Sequence, residues 1–168
     1  MSWQDSIIDS LRKHNCRIIS YVGDSLTKPI IDRLEGDDFF TVVPATREDE
    51  AIAIVTGAYL CNVRGAVFMA SAGVGNSINA LGSVNVAWRV PVPIFVTLRG
   101  DLGEPVMVQV PVGRAVRSLL DSLNISYFQL DREDEANTIV DGALVTCFGA
   151  RVTVAVLITS KLTGGRKH

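Results

Sequence analysis

The sequence predicts an α/β fold, a three-layer structure in which helices cover both faces of a parallel β-sheet. Short runs rich in Val, Ile and Phe alternate along the chain with segments whose apolar residues recur at helical spacing. The strand-like runs are apolar at consecutive positions, which indicates strands buried on both faces. Such strands, separated by helices, are typical of parallel sheets. With 168 residues and 48% apolar residues, the chain can form one substantial core.

Helices and strands are predicted in alternation from the N-terminus. The helices are expected over residues 2–13, 26–34, 46–62, 77–88, 114–123 and 133–148. The strands are expected over residues 17–22, 39–43, 65–70, 92–98, 126–130 and 152–159. Residues 99–111 contain Gly and Pro without a period and predict a loop. No linker or repeat interrupts the pattern, so a single domain is predicted over residues 1–161, followed by a flexible basic tail over residues 162–168.

Charge and composition exclude several classes of function. Sixteen basic and eighteen acidic residues give a formal net charge of -2, which gives no sign of nucleic-acid or membrane-surface binding. The chain has only two histidines, of which one is the last residue, so a two-histidine metal site is not expected. No apolar run is long enough to span a bilayer, and no signal peptide is recognisable, so a cytoplasmic location is predicted.

Ligands of such sheets bind at the carboxyl ends of the strands. Asp24 and Ser25 follow the first predicted strand, and Arg99 follows the fourth. An arginine at a strand end can bind a carboxylate, sulfonate or phosphonate, and Arg114 is a second candidate cation. For a lone arginine at such a place, an ordinary surface loop is the favoured interpretation.

An acidic segment, Arg47-Glu48-Asp49-Glu50, precedes the third predicted helix. Thr46 and Asp49 have the spacing of a capping box, and acidic residues in a first turn also complement the helix dipole. The rest of this helix is apolar or small all round, which predicts that it is buried. A carboxylate at its start would then lie beside a buried surface, where its ionisation can be tuned.

A glycine-containing segment, residues 71–76, is predicted as a loop between the third strand and the following helix. Gly73 and Gly75 would let the backbone approach a ligand closely. The segment is neither a G-x-G-x-x-G motif nor a phosphate-binding P-loop, so tight packing of strand against helix explains it equally well.

Together these segments resemble the pyrimidine-binding domain of thiamine-diphosphate-dependent decarboxylases. In that family the catalytic glutamate lies nine residues before a helix glycine, and counting back from Gly57 leads to Glu48. Residues 69–81, 99–105 and 113–114 resemble segments of sulfopyruvate and phosphonopyruvate decarboxylases, most closely the alpha subunits of the former. That subgroup commonly has Gln-Asn-Ser before its Gly-x-Gly, whereas this chain has Ala70, Ser71 and Ala72, which leaves the substrate open.

The resemblance implies a thiamine-diphosphate-dependent 2-oxoacid decarboxylase subunit in which Glu48 is catalytic and binds the pyrimidine ring. It implies further cofactor contacts from Gly73, Val74, Gly75 and Asn76. It also implies contacts to a small anionic 2-oxoacid from Asp24, Ser25, Arg99 and Arg114. The family's Gly-Asp-Gly segment for diphosphate and Mg²⁺ is missing, which implies a separate diphosphate-binding (beta) subunit and a hetero-oligomer built on a dimer, with no metal ligand in this chain.

Two other readings remain open at the level of the sequence. A flavodoxin-like binding module without catalytic activity would use the same fold and the same glycines. A regulatory subunit that kept the fold and lost the chemistry would use the apolar third helix as an interface. Fold class alone does not decide between them.

Overall fold

The computed structural model describes residues 2–164, which form one six-stranded parallel sheet between two layers of helices. The elements in chain order are α1 (Trp3–Lys13), β1 (Cys16–Tyr21), α2 (Lys28–Glu35), β2 (Thr41–Pro44), α3 (Glu48–Leu60), β3 (Arg64–Ala70), α4 (Ser71–Ala80), β4 (Pro93–Thr97), α5 (Gln109–Ser122), β5 (Ser126–Leu130), α6 (Ala136–Ala150), β6 (Val154–Ile158) and α7 (Ser160–Thr163). The predicted α/β class and the parallel sheet are confirmed.

The strand order across the sheet is β2-β1-β3-β4-β6-β5. Strands β4 and β6 are buried at every position, whereas the edge strands β2 and β5 are partly exposed. This difference explains why the inner strands are continuous apolar runs. Side chains that alternate along a strand enter opposite cores, as Phe68 and Met69 do.

One core lies under α1, α2 and α6, and the other under α3, α4 and α5. Helix α3 buries Ala51, Ile52, Val55 and Thr56, but Leu60 on its outer flank is 66% exposed. The prediction that this helix is buried all round is therefore wrong for the isolated chain. The consecutive apolar residues that suggested burial serve one core-facing stripe and one exposed stripe.

Three connections differ from the sequence prediction. Helix α4 starts at Ser71, directly after β3, so the predicted loop over residues 71–76 is wrong, and the helix continues into a π-helical segment, Leu81–Val86. Helix α5 begins at Gln109, inside the predicted loop over residues 99–111. The first two residues of the predicted tail, residues 162–163, belong to helix α7, and Leu162 packs against the first core. Residues 165–168 of that tail lie outside the described part of the chain.

Candidate active site

The carboxyl edge of the sheet gathers the residues that the sequence singled out. Because all strands are parallel, the segments after β1, β2, β3 and β4 leave the sheet at this one edge. They carry Asp24, Glu48, the first turns of α4 and Arg99, respectively. The sheet thus brings side chains from four distant parts of the sequence to a common edge.

Glu48 is the first residue of α3, and its side chain lies against α4. Its Oε2 accepts a hydrogen bond from Nδ2 of Asn76, with a distance of 3.0 Å between the two atoms. A Cβ atom at Gly73 would lie 2.4 Å from Cγ of Glu48, so only glycine leaves room for this side-chain position. Within residues 2–164, no hydrogen bond reaches Oε1 of Glu48.

The neighbouring acids of the α3 segment have other partners. Glu50 accepts from both the backbone N–H and the hydroxyl of Thr46, at 2.8 and 2.7 Å, and these bonds lower its pKa. Asp49 accepts from the Arg47 guanidinium, which lowers the pKa of Asp49. The expected Thr46–Asp49 capping box is wrong, because Glu50 takes the place next to Thr46. Glu48 is thereby the acid of this run that turns toward α4.

The predicted cofactor-binding segment is helical, and its members differ in position. Gly73 is buried against Glu48, whereas Val74 belongs to the core under α3, α4 and α5. Gly75 and Asn76 are exposed. The helix thus places Gly73 and Asn76 beside Glu48, and Val74 packs this turn against the core.

Asp24 and Ser25 follow β1 and line an open pocket of about 390 Å³ together with Tyr21 and Lys28. The Oδ2 atom of Asp24 accepts from the Thr97 hydroxyl at 2.8 Å and from the backbone N–H of Leu26 at 3.3 Å. Ser25 is exposed. The aspartate is therefore fixed across the edge to β4, while the serine faces solvent.

Arg99 is only 7% exposed and forms a two-pronged ion pair with Glu104. Its Nε lies 2.8 Å from Oε2 and its Nη2 lies 3.0 Å from Oε1 of that carboxylate. The bond to Arg99 holds the pKa of Glu104 down at about 2, assisted by the backbone N–H groups of Gly100 and Val106. The sequence made Arg99 a candidate cation for an anionic substrate, but its charge is already matched by Glu104. Its Nη1 also lies 3.9 Å from Oδ1 of Asp24.

The backbone around Arg99 is packed equally closely. The N–H of Arg99 donates to the Ser71 hydroxyl at 2.7 Å, which connects the loop to the start of α4. A Cβ at Gly113 would lie 1.7 Å from the Arg99 carbonyl oxygen, so α5 touches the loop backbone directly. The loop after β4 is therefore held by backbone contacts as well as by its ion pair.

Arg114 is exposed and lines an open pocket of about 410 Å³ beside this loop. No hydrogen bond or ion pair links it to another residue of the described chain. Arg117, which the sequence analysis missed, lines the same pocket and donates to Oε1 of Gln129 at 3.0 Å. Its position one helical turn after Arg114 was the available signal.

The residues described contain no cluster of three His, Cys, Asp or Glu side chains that could hold a metal ion. Among residues 2–164, no helix is both long and apolar enough to cross a membrane.

Comparisons with known proteins give matches that cover most of this chain. A sulfopyruvate decarboxylase subunit alpha from Methanococcus maripaludis is 31% identical over 158 residues, which cover 94% of this chain and 95% of that protein. The same subunit from Methanocaldococcus jannaschii is 33% identical over 152 residues, or 90% of each chain. A phosphonopyruvate decarboxylase from Streptomyces viridochromogenes is 32% identical over 116 residues, which cover 68% of this chain and 29% of that protein. No protein-family model matches the chain.

The fold also has a close relative among solved structures. The 2-oxoglutarate:ferredoxin oxidoreductase from Magnetococcus marinus superposes with a TM-score of 0.77 over 97% of this chain and 29% of that chain. The sequence identity is 14%, so this likeness concerns the fold alone.

The parallel sheet, the edge carboxylate and these relatives together define the class: the chain is a decarboxylase subunit. It belongs to the family of the sulfopyruvate decarboxylase alpha subunits.

Proposed function

We propose that this chain is the pyrimidine-binding subunit of a thiamine-diphosphate-dependent enzyme that converts sulfopyruvate to sulfoacetaldehyde and CO₂. The single observation that carries the proposal is the position of Glu48. Its carboxylate stands at the carboxyl edge of the sheet, is fixed through Oε2 by Asn76, and has no hydrogen bond to Oε1 from the described residues. The family relationship supports the choice of reaction.

The residues around Glu48 fit an aminopyrimidine ring. The ring offers hydrogen-bonding nitrogen atoms and a flat apolar face, and the edge supplies a carboxylate oxygen beside a glycine that has no side chain. Gly73 and Gly75 would form the wall of this site, and Val74 would support it from the core. Asn76 would stand beside Glu48 at the edge of the site. When bound, thiamine diphosphate supplies the electron sink on which decarboxylation depends.

Glu48 would act on the cofactor through Oε1. It would accept a hydrogen bond from N1′ of the pyrimidine and so hold a proton at that ring nitrogen. A glutamine in its place keeps the shape of the side chain but removes the negative charge that attracts this proton. Glu50 and Asp49 are less suited to the role, because Thr46 and Arg47 already bind their carboxylates.

The substrate would lie among Asp24, Ser25, Arg99 and Arg114. Of the two arginines, Arg114 is the stronger candidate for binding the sulfonate, because Arg99 is neutralised by Glu104. Arg99 would act by holding its loop and by facing Asp24 from 3.9 Å. Asp24 could assist proton transfer, and Ser25 offers an exposed hydroxyl to the substrate side.

A separate beta subunit would hold the diphosphate and Mg²⁺, a division that is supported by the relatives' being named alpha subunits. The exposed apolar side of α3 near Leu60 would contact another subunit in a hetero-oligomer built on a dimer. Phosphonopyruvate is the alternative substrate, favoured by the similarity to the Streptomyces enzyme.

The test is to purify the chain from its native cells together with any chain that remains bound. Release of CO₂ is then measured from sulfopyruvate, phosphonopyruvate and pyruvate, with and without thiamine diphosphate and Mg²⁺. Cofactor-dependent turnover of sulfopyruvate that follows a co-purifying second chain is the expected result. Faster turnover of phosphonopyruvate would move the assignment to that substrate. Absence of turnover on all three, with the second chain present, would favour the binding-module or regulatory function.

A further inference from the structure

Asn76 lies in the second turn of α4 and contacts the proposed catalytic residue from a neighbouring helix. Its side chain is exposed apart from this contact, and its Nδ2 atom lies 3.0 Å from Oε2 of Glu48. A carboxylate can only accept hydrogen bonds, so the amide must turn its NH₂ group toward Glu48. The chemistry of the pair therefore fixes the orientation of the amide.

The two oxygens of Glu48 are consequently not equivalent. Oε2 is held by Asn76, while Oε1 receives no hydrogen bond within residues 2–164. The glutamate side chain also passes close to Gly73, where an added Cβ would lie 3.0 Å from Oε1 itself. The bond from Asn76 and the missing side chain at Gly73 together select one position for the carboxylate.

We propose that Asn76 is a positioning residue for Glu48, an inference that rests on the proposed function. Its amide occupies Oε2 and leaves Oε1 for the pyrimidine ring, so Asn76 acts on the cofactor through Glu48 and does not bind it directly. Without this bond, a half-buried glutamate at the start of a helix has more than one accessible rotamer, and only some of them present Oε1 correctly. The resemblance had assigned Asn76 to the cofactor-binding wall, whereas this inference gives it a different role.

Three substitutions separate the hydrogen bond from the size of the side chain. Asn76→Ala removes the donor, and Asn76→Asp keeps the size but replaces the donor with a second negative charge. Asn76→Gln restores an amide on a longer side chain. We expect about tenfold slower activation of the cofactor in Asn76→Ala, a larger loss in Asn76→Asp and partial recovery in Asn76→Gln, because one charge-assisted hydrogen bond is lost.

The control is Asn79→Ala on the same helix, because Asn79 is an exposed residue whose Oδ1 accepts from the Ser83 hydroxyl. Each variant is prepared in the full complex with the partner chain. The readouts are deuterium exchange at the C2 position of bound thiamine diphosphate at saturating cofactor, the dissociation constant of the cofactor, and the melting temperature.

Slower exchange in Asn76→Ala than in Asn79→Ala, at equal melting temperatures, is the expected result. Equal exchange rates in these two variants would overturn the inference, even if Asn76→Ala melted at a lower temperature, since a purely structural role predicts that outcome. Glu48→Gln is measured alongside. If it exchanges at the wild-type rate, the proposed function itself fails, whereas slow exchange in Glu48→Gln with normal exchange in Asn76→Ala overturns only the role of Asn76.

Discussion

Glu48 and Glu104 lie at the same edge of the sheet, but the protein binds these two carboxylates in opposite ways. Each oxygen of Glu104 accepts one hydrogen bond from Arg99 and one from a backbone N–H group. Among residues 2–164, the Glu48 carboxylate accepts a single hydrogen bond, from Asn76 to one oxygen. A carboxylate with all its acceptor positions filled can only hold the loop after β4, whereas one with a free oxygen can still bind a ligand. The comparison separates an acid whose oxygens are all occupied from one that keeps an oxygen free for a ligand.

The largest effect is expected from Glu48→Gln, which removes the negative charge of the carboxylate that keeps one oxygen free. Turnover in the complex with the partner chain should fall by about 10²–10⁴-fold, because a positioned proton-transfer group is lost. The measurement is CO₂ release at saturating cofactor. Glu50→Gln is the matched control, two residues along the same helix. It should retain turnover near wild type because the Glu50 carboxylate accepts its hydrogen bonds from Thr46 and does not turn toward α4. Full activity in Glu48→Gln would end the catalytic assignment.

Glu104→Ala removes the carboxylate that binds Arg99 and holds the loop after β4. It leaves the buried Arg99 guanidinium without its main partner, and loss of one member of a buried ion pair typically costs about 3–5 kcal/mol. The free energy of unfolding, measured in urea, should fall by an amount of this order. Asp134→Ala, which breaks an exposed pair with Arg132, should change it little. Similar losses in the two variants would contradict the structural role of Glu104.

The same ion pair gives a pH dependence with a definite sign. The pKa of Glu104 is about 2 in the folded chain and 4.5 for an unperturbed glutamate, so the folded state favours the ionised form. Its contribution is complete above pH 4.5 and is lost as the pH falls toward 2. The wild type should therefore lose more stability over this interval than Glu104→Gln. The free energy of unfolding is measured by chemical denaturation at pH 4.5 and at pH 2. Equal losses between these pH values in the wild type and in Glu104→Gln would contradict the pKa shift.

Gly73→Ala tests whether Glu48 needs its position as well as its charge. The new Cβ would lie 2.4 Å from Cγ of Glu48, and the flexible glutamate side chain must move away. Turnover should fall by about 10²-fold, the cost of a displacement near 1 Å in an active site. The melting temperature should equal or exceed that of the wild type, because alanine stabilises a helix interior by about 0.5–1 kcal/mol relative to glycine. A parallel loss of stability and activity would indicate general disruption instead.

Arg114→Gln is expected to have the smallest effect and sharpens the contrast between the two arginines. Arg114 has no partner among residues 2–164, so its removal should leave stability unchanged and raise the KM for sulfopyruvate by about tenfold. The maximal turnover should change little. Steady-state kinetics and a melting curve measure both effects. An unchanged KM would place the sulfonate elsewhere on the edge.

The sequence predicts much of the fold because the inner strands are continuous apolar runs between helices of regular period. The start of α4 was missed because Ser71, Gly73 and Gly75 favour turns locally, whereas packing of Val74 in the core and of Gly73 against Glu48 makes this segment helical. Glu48 was predicted from the family resemblance, in which the glutamate lies nine residues before a helix glycine, here Gly57, and its catalytic role stays a prediction. The pairing of Arg99 with Glu104 was missed because it depends on how the loop after β4 folds back on itself. The loop has no regular period from which that conformation could be predicted.

The direct junction of β3 and α4 constrains how the length of the chain can vary. Ala70 ends the strand and Ser71 begins the helix, so no spare residue separates them. Inserting one residue would turn α4 by about 100° around its axis, since a helix has 3.6 residues per turn. That rotation would carry Asn76 and Gly73 away from Glu48. Insertions and deletions among related chains are therefore expected in connections such as residues 36–40, and natural length variation should leave this junction unchanged.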